Sequence, residues 1–96
     1  MEEMDGLKKL ILQKLINSNT WGGKHTPLDF MVKGVPEHYR NTHQGRKVVE
    51  KALKVLTNDG WIILLSKRTG HGSDKHVSLN PRKVSEIKQF LERRED

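Results

Sequence analysis

The 96-residue sequence contains no cysteine. Disulfides and thiolate-held zinc are therefore excluded, and the chain is compatible with a reducing compartment. Long apolar runs are also missing. The longest, Leu10 to Leu12 and Trp61 to Leu65, are far too short to span a bilayer. The first residues, Met1-Glu2-Glu3-Met4-Asp5, are acidic and lack the basic segment of a secretory signal. The expectation is a soluble cytoplasmic protein with no membrane partner. Catalytic signatures are absent too. No serine sits in a nucleophile-elbow pattern, no carboxylate pair stands apart from the charged background, and there is no Walker sequence. Gly22-Gly23 is not a phosphate loop, because no Gly-Lys-Ser/Thr follows it and no buried strand precedes it. His25, His38, His43, His71 and His76 scatter over loops and element ends, and no two share the i, i+4 spacing of a zinc-binding helix. No enzyme activity, cofactor or metal site is expected. Internal repeats and low-complexity segments are lacking as well.

What is present is positive charge, unevenly placed. The formal charge is +6 and the pI about 9.8. Ten Lys/Arg and three Asp/Glu fall between Arg40 and Lys83, so that window carries +7 and the remainder −1. Such a concentrated field raises encounter rates with polyanions and points to nucleic acid as the partner class. The chain length predicts a single domain over residues 1–96, which can bury roughly 60–70% of its unfolded surface.

The chain divides into alternating helical and extended patterns. Leu7, Leu10, Ile11, Leu15 and Ile16 give the core-facing spacing of a first helix over Asp5 to Ser18, with Asp5 as N-cap and Asn17 to Thr20 as breaker. Trp21 to Thr26 is a connector, and Lys24 to Thr26 is a candidate edge strand. Thr26 and Pro27 read as N-cap and N1 of a short second helix to about Lys33, burying some of Leu28, Phe30, Met31 and Val32. Gly34 ends it, and Val35 to Asn41 is a connection because Pro36 disfavours helix before it. Asn41 or Thr42 then caps a long third helix over about 42–59. Its apolar face is Val48, Val49, Ala52, Leu53, Val55 and Leu56, and its outer face is His43, Lys47, Glu50, Lys51 and Lys54. Gly60 stops it by accepting positive φ. A hairpin over about 61–79 follows. Its first strand, Trp61 to Ser66, is apolar and expected to be buried on at least one face; its loop is Lys67 to Lys75, and its return strand is His76 to Leu79. Asn80 caps a last helix over about 81–94 that starts at Pro81 and carries Val84, Ile87, Phe90 and Leu91 on one side.

This order is α+β, and it resembles the winged helix-turn-helix superfamily along nearly the whole chain: a three-helix core, a β-hairpin wing and a C-terminal helix. Within the superfamily the chain is similar to small archaeal winged-helix proteins. That similarity rests on Gly23-Lys24-His25-Thr26, Lys33-Gly34 with Pro36 and His38, Leu56 to Trp61, and His76-Val77-Ser78-Leu79-Asn80-Pro81. One departure stands out. The usual turn has three or four residues, whereas Gly34 to Thr42 separates the second and third helices here.

The resemblance implies a double-stranded DNA-binding transcriptional regulator, with the third helix in the major groove and the basic wing on the backbone or minor groove. Carried over by position, the DNA-binding residues are His43, Gln44, Arg46, Lys47, Glu50, Lys51 and Lys54 on the helix, and Lys67, Arg68 and Lys75 on the wing. Arg46 or Lys47 suits guanine O6/N7, Gln44 suits adenine N6/N7, and Glu50 suits a cytosine amino group. Lys54, further along, suits phosphate, and Gly70 and Gly72 would let the wing approach closely. The plain alternative for this face is a solvated surface with Glu50 paired to Lys54 at i, i+4. Two other functions fit the same fold: an RNA- or ribosome-associated winged helix, and a protein-interaction module. The last helix offers a surface for a homodimer, or packs on the chain's own core.

Overall fold

Local signals set most element boundaries, and strand pairing overrides them at Thr26-Pro27 and in the hairpin. The computed structural model describes the backbone of residues 3–69 and 72–93, with the side chains in that span except those at 3, 67–69 and 72–74. The order is α1 (Glu3–Asn17), β1 (Thr26–Pro27), α2 (Leu28–Val32), α3 (Glu37–Asn41), α4 (His43–Asn58), β2 (Ile62–Thr69), β3 (Gly72–Leu79), a 3-10 turn (Pro81–Lys83) and α5 (Val84–Glu92). The chain is thus α+β, with five helices and a three-stranded antiparallel sheet of order β1-β3-β2 among the described residues. No helix among them is long and apolar enough to cross a membrane.

The α1 helix begins before its expected start. Asp5 is not the N-cap but lies in the first turn, where a carboxylate complements the helix dipole. It pairs with Lys8 at 3.8 Å and with Arg93 at 3.6 Å. Leu7, Ile11, Leu12 and Leu15 are buried, whereas Leu10 is 46% exposed. Three consecutive aliphatics cannot all face one side of a helix. Here α1 meets α2, α4, α5 and β3, and that wide contact turns the core face from Leu10 toward Leu12. Asn19 ends the helix at φ 54, one of the residue types that tolerate the left-handed region.

Thr26 and Pro27 do not cap α2. They form β1, with Thr26 opposite Val77 and Pro27 opposite His76, and α2 starts without a side-chain cap. Proline lacks an N–H but is tolerated on an edge strand, which β1 is. Of the residues offered as buried in α2, Met31 is buried, Leu28 and Val32 are half-buried, and Phe30 is exposed. The expected connection from Val35 to Asn41 contains a further helix, α3. Pro36 does keep Val35 out of α2, but it also stands as N-cap of α3, so one proline separates two helices. Val35 and Tyr39 bury their side chains beneath it.

Only Thr42, in extended conformation, stands between α3 and α4. Its hydroxyl accepts from the Gly45 amide at 2.9 Å and donates to the His38 carbonyl at 2.9 Å. Gly45 is buried against α3: a Cβ there would overlap the His38 carbonyl oxygen, Tyr39 Cα and Thr42 Oγ1. Val49, Ala52, Leu53 and Leu56 carry the apolar face of α4 into the core beside α1, with Val48 and Val55 at its margin. Gly60 takes φ 77 at the helix end, as expected.

The hairpin is more regular than its composition suggests. The ladder runs through Lys67 opposite Asp74, Arg68 opposite Ser73 and Thr69 opposite Gly72, so the expected long loop is mostly strand. Backbone pairing holds these polar residues in register irrespective of their side chains. Only Gly70 and His71 lie between the strands, outside the described residues. The first strand also differs from expectation in burial. Ile62 is buried, but Ile63, Leu64 and Leu65 are each 37% exposed, because β2 is the sheet edge. At the other end, Asn80 ties three elements together. Its side chain accepts from the Arg82 amide at 3.0 Å and donates to the Gly60 carbonyl at 2.7 Å, and its amide donates to the Trp61 carbonyl at 2.9 Å. It caps the 3-10 turn at Pro81 that leads into α5. There Ile87 and Phe90 enter the core, and Phe90 stacks edge-on to Trp61 with ring centroids 5.4 Å apart.

Candidate nucleic-acid interface

Because Val49, Ala52, Leu53 and Leu56 fix one side of α4 in the core, its opposite side must face solvent. His43, Gln44, Arg46, Lys47, Glu50, Lys51 and Lys54 are all exposed. At about 100° per residue, His43, Lys47, Glu50 and Lys54 fall within a sector of roughly 60° and make one stripe along the helix. Gln44 and Lys51 flank it on the side of α3, where Gln44 lines a shallow hollow with His38, Tyr39, Thr42 and Val48. Arg46 flanks it on the other side, above a narrow apolar groove formed with Leu28, Val32 and Tyr39.

The lysines of this face have no ion-pair partner among the described residues: no carboxylate among them lies within ion-pair distance of Lys47, Lys51, Lys54 or Lys75. The i, i+4 pair of Glu50 with Lys54 is not formed. Arg46 is engaged differently. Its Nη1 donates to the Arg40 carbonyl at 3.2 Å, satisfying an oxygen left open at the end of α3. Arg40 in turn donates from Nε to the Val35 carbonyl at 3.2 Å. Two arginines thus knit the α2–α3–α4 junction, and Arg46 presents its remaining donors from a held position.

The helix and the hairpin share a groove of about 530 Å³, lined by Glu50, Leu53, Lys54, Thr57 and Asn58 of α4, Leu64 and Lys75 of the hairpin, and Leu28. Lys54 and Lys75 therefore stand on one concave surface although they are distant in sequence. Asn58 continues the stripe one turn beyond Lys54. Its place at 50, 54, 58 is visible in the helical spacing, yet sequence reasoning passed over it. Thr57 was passed over too. Its hydroxyl donates to the Leu53 carbonyl at 2.7 Å. The side chains of Lys67 and Arg68, and the whole of Gly70 and His71, lie outside the described residues.

The histidines separate into different settings. His43 is exposed at the start of α4, and His38 tilts against the Tyr39 ring with centroids 4.1 Å apart. His25 and His76 meet at 2.9 Å between Nδ1 atoms, so one ring nitrogen donates to the other and ties the connector before β1 to β3. Sequence reasoning gave no hint of that pair, because the β1–β3 register brings it together. Among the described residues no group of three or more His, Asp or Glu is placed to hold a metal ion.

No protein-family model matches this chain, and no curated protein or solved structure matches it either.

Proposed function

We propose that the chain is a winged helix-turn-helix protein that binds double-stranded DNA as a transcriptional regulator, with α4 as recognition helix and the β2–β3 hairpin as wing. The observation that carries this is the basic stripe of α4, whose lysines have no ion-pair partner among the described residues, opening onto the groove that also holds Lys75. A stripe at the margin of a helix–hairpin groove meets a curved polyanion at two places at once. The element order supports the same reading, with α3 and Thr42 replacing the long turn that the sequence implied.

The 16 residues of α4 extend about 24 Å, and a major groove about 12 Å wide admits one helix. Its first turns would place Gln44, Lys47 and Glu50 at base edges. Lys51 and Lys54 would neutralise phosphates flanking the groove, and Lys75, with Lys67 and Arg68, would follow the adjacent backbone. Proteins of this design do no chemistry on the DNA, and none is assigned here.

Fluorescence anisotropy of a labelled duplex against salt tests the proposal. Neutralising about five phosphates gives a slope of log affinity against log salt near −4 to −5. Charge reversal by Lys47→Glu with Lys54→Glu should abolish binding while the circular dichroism spectrum is retained, since both side chains are exposed. A flat salt response, or hairpin RNA outcompeting duplex DNA, would sink the assignment.

A further inference from the structure

The edge of β2 is built for a partner that DNA contact does not provide. Backbone polarity along it follows from one bond. The Asn80 amide donates to the Trp61 carbonyl at 2.9 Å, and these residues stand opposite one another in the register that pairs Ile62 with Leu79. In an antiparallel ladder, residues bonding toward the neighbour alternate with residues bonding away from it. Ile63 and Leu65 therefore turn N–H and C=O toward β3, and Ile62, Leu64 and Ser66 turn theirs to the open edge. On β3 the same alternation sends Leu79 away from β2, where it donates to the Thr20 carbonyl and accepts from the Gly22 amide. Among the described residues no other element takes up the outward groups of Ile62, Leu64 and Ser66.

Natural sheets blunt such edges with lysine, proline or a bulge. From Ile62 to Ser66 this strand has no charged residue and no proline, and its ladder to β3 runs without interruption. Three consecutive aliphatic side chains on it remain substantially exposed.

We propose that two copies of this chain pair through β2, antiparallel, about a two-fold axis at Leu64, turning two three-stranded sheets into one of six strands. The segment is suited to its own copy. A two-fold axis in an antiparallel ladder can pass through any facing pair, and within this segment only an axis at Leu64 engages all three outward-bonding residues, Ile62, Leu64 and Ser66. Leu64 then faces Leu64, Ile62 faces Ser66, and the three facing pairs make about six inter-chain hydrogen bonds, two per pair. Ile63 of each copy faces Leu65 of the other, giving a four-residue aliphatic cluster on the outer face of the sheet. Charge selects the antiparallel arrangement. It puts Lys67 and its symmetry mate about 20 Å apart along the ladder, beyond the screening length at physiological salt. A parallel in-register pair would stack Lys67 on Lys67 and Arg68 on Arg68. The axis is perpendicular to the sheet, so both α4 helices lie on the same side of it. The pairing does not depend on DNA binding.

The chain's lack of cysteine makes the register testable. In Leu64→Cys the new residue stands opposite the same residue of the second copy, with Cα atoms about 5.5 Å apart and inside the Cα span of a disulfide. In Ser66→Cys the Cα atoms stand about 13–14 Å apart, beyond it. Sedimentation of the full wild-type chain should show a monomer–dimer equilibrium. Leu65→Lys should weaken dimerisation about tenfold or more. Mild oxidation should cross-link Leu64→Cys and leave Ser66→Cys without a covalent cross-link. A wild-type chain that stays monomeric at every concentration overturns the proposal, as does a dimer that folded Leu65→Lys leaves unchanged. Cross-linking at 66 without cross-linking at 64 also overturns it, and both cysteine variants report even if Leu65→Lys fails to fold.

Discussion

Gly45→Ala is expected to destabilise the protein, although replacing a helical glycine with alanine ordinarily does the opposite. The propensity gain is about 1 kcal/mol in a helix interior, and Gly45 lies in the first turn of α4, where the gain is smaller. Against it stands the overlap of the new Cβ with three atoms. Two of them, the His38 carbonyl oxygen and Tyr39 Cα, are backbone of α3 and cannot rotate away. Relief requires α3 and α4 to separate, and that stretches the Thr42 hydroxyl from both of its partners. Overpacking of this kind costs about 1–3 kcal/mol, and a weakened cap adds up to about 1 kcal/mol. The net loss is then about 1–2 kcal/mol, a fall in Tm of about 5–15 °C for a domain of this size. Thermal unfolding followed by circular dichroism measures it. Gly34→Ala is the control. Its new Cβ meets the movable Lys14 side chain at 3.0 Å and the Met31 carbonyl oxygen at 3.3 Å, a milder crowding, so its destabilisation should stay below about 1 kcal/mol and below that of Gly45→Ala. An unchanged or higher Tm for Gly45→Ala would refute the close α3–α4 packing.

Thr42→Ala removes the cap at the same junction and should cost about 1 kcal/mol; Thr42→Ser should recover most of that loss in the same melt. Arg46 and Lys47 should separate in DNA binding. Arg46→Ala should weaken binding to all duplexes alike and lower Tm slightly, because its guanidinium is held on the Arg40 carbonyl. Lys47→Ala should relax sequence preference in a selection from random duplexes, losing about 1–3 kcal/mol of discrimination at one base pair.

Where the determinants were local, the chain was legible before it was folded. The spacing of Val49, Ala52, Leu53 and Leu56 placed α4 and its buried face, Thr42 and Gly60 marked its ends, and Asn80 marked the start of the last helical segment. The departures have different physical causes. Thr26-Pro27 is a good local helix start, but the two residues are taken by β3, about fifty positions away. Pro36 forbids helix before it and equally permits one after it, where it stands as N-cap of α3. Gly72, Ser73 and Asp74 have loop composition, yet they sit in a ladder that consults only the backbone. The site divides in the same way. Exposure of His43 to Lys54 follows from the apolar face of one helix. The meeting of Lys54 with Lys75 and the tether of Arg46 to Arg40 need the tertiary arrangement.

Among the described residues Lys47, Lys51 and Lys54 of α4 make no ion pair that favours the fold, and that bears on their purpose. Lys47 and Lys51 are four residues apart, Lys51 and Lys54 three, and like charges at those spacings destabilise a helix by roughly 0.2–0.5 kcal/mol per pair. Among the described residues no ion pair offsets them, and Glu50 between them engages neither neighbour. The net charge of +6 adds self-repulsion across the whole chain. Salt should therefore act with opposite signs on two quantities. It screens repulsion in the free protein, so Tm should rise by a few degrees as ionic strength increases through the physiological range. It restores counterions to DNA, so duplex affinity should fall over the same range. Added duplex at low salt should raise Tm, by about 2.7 kcal/mol of stability at a hundredfold excess over Kd, and the increment should vanish at high salt. Calorimetry across a salt series, with and without duplex, reads both signs in one experiment. If free-protein Tm falls with salt instead, the lysines are stabilising the fold through contacts, and the basic stripe is not held in reserve for a polyanion.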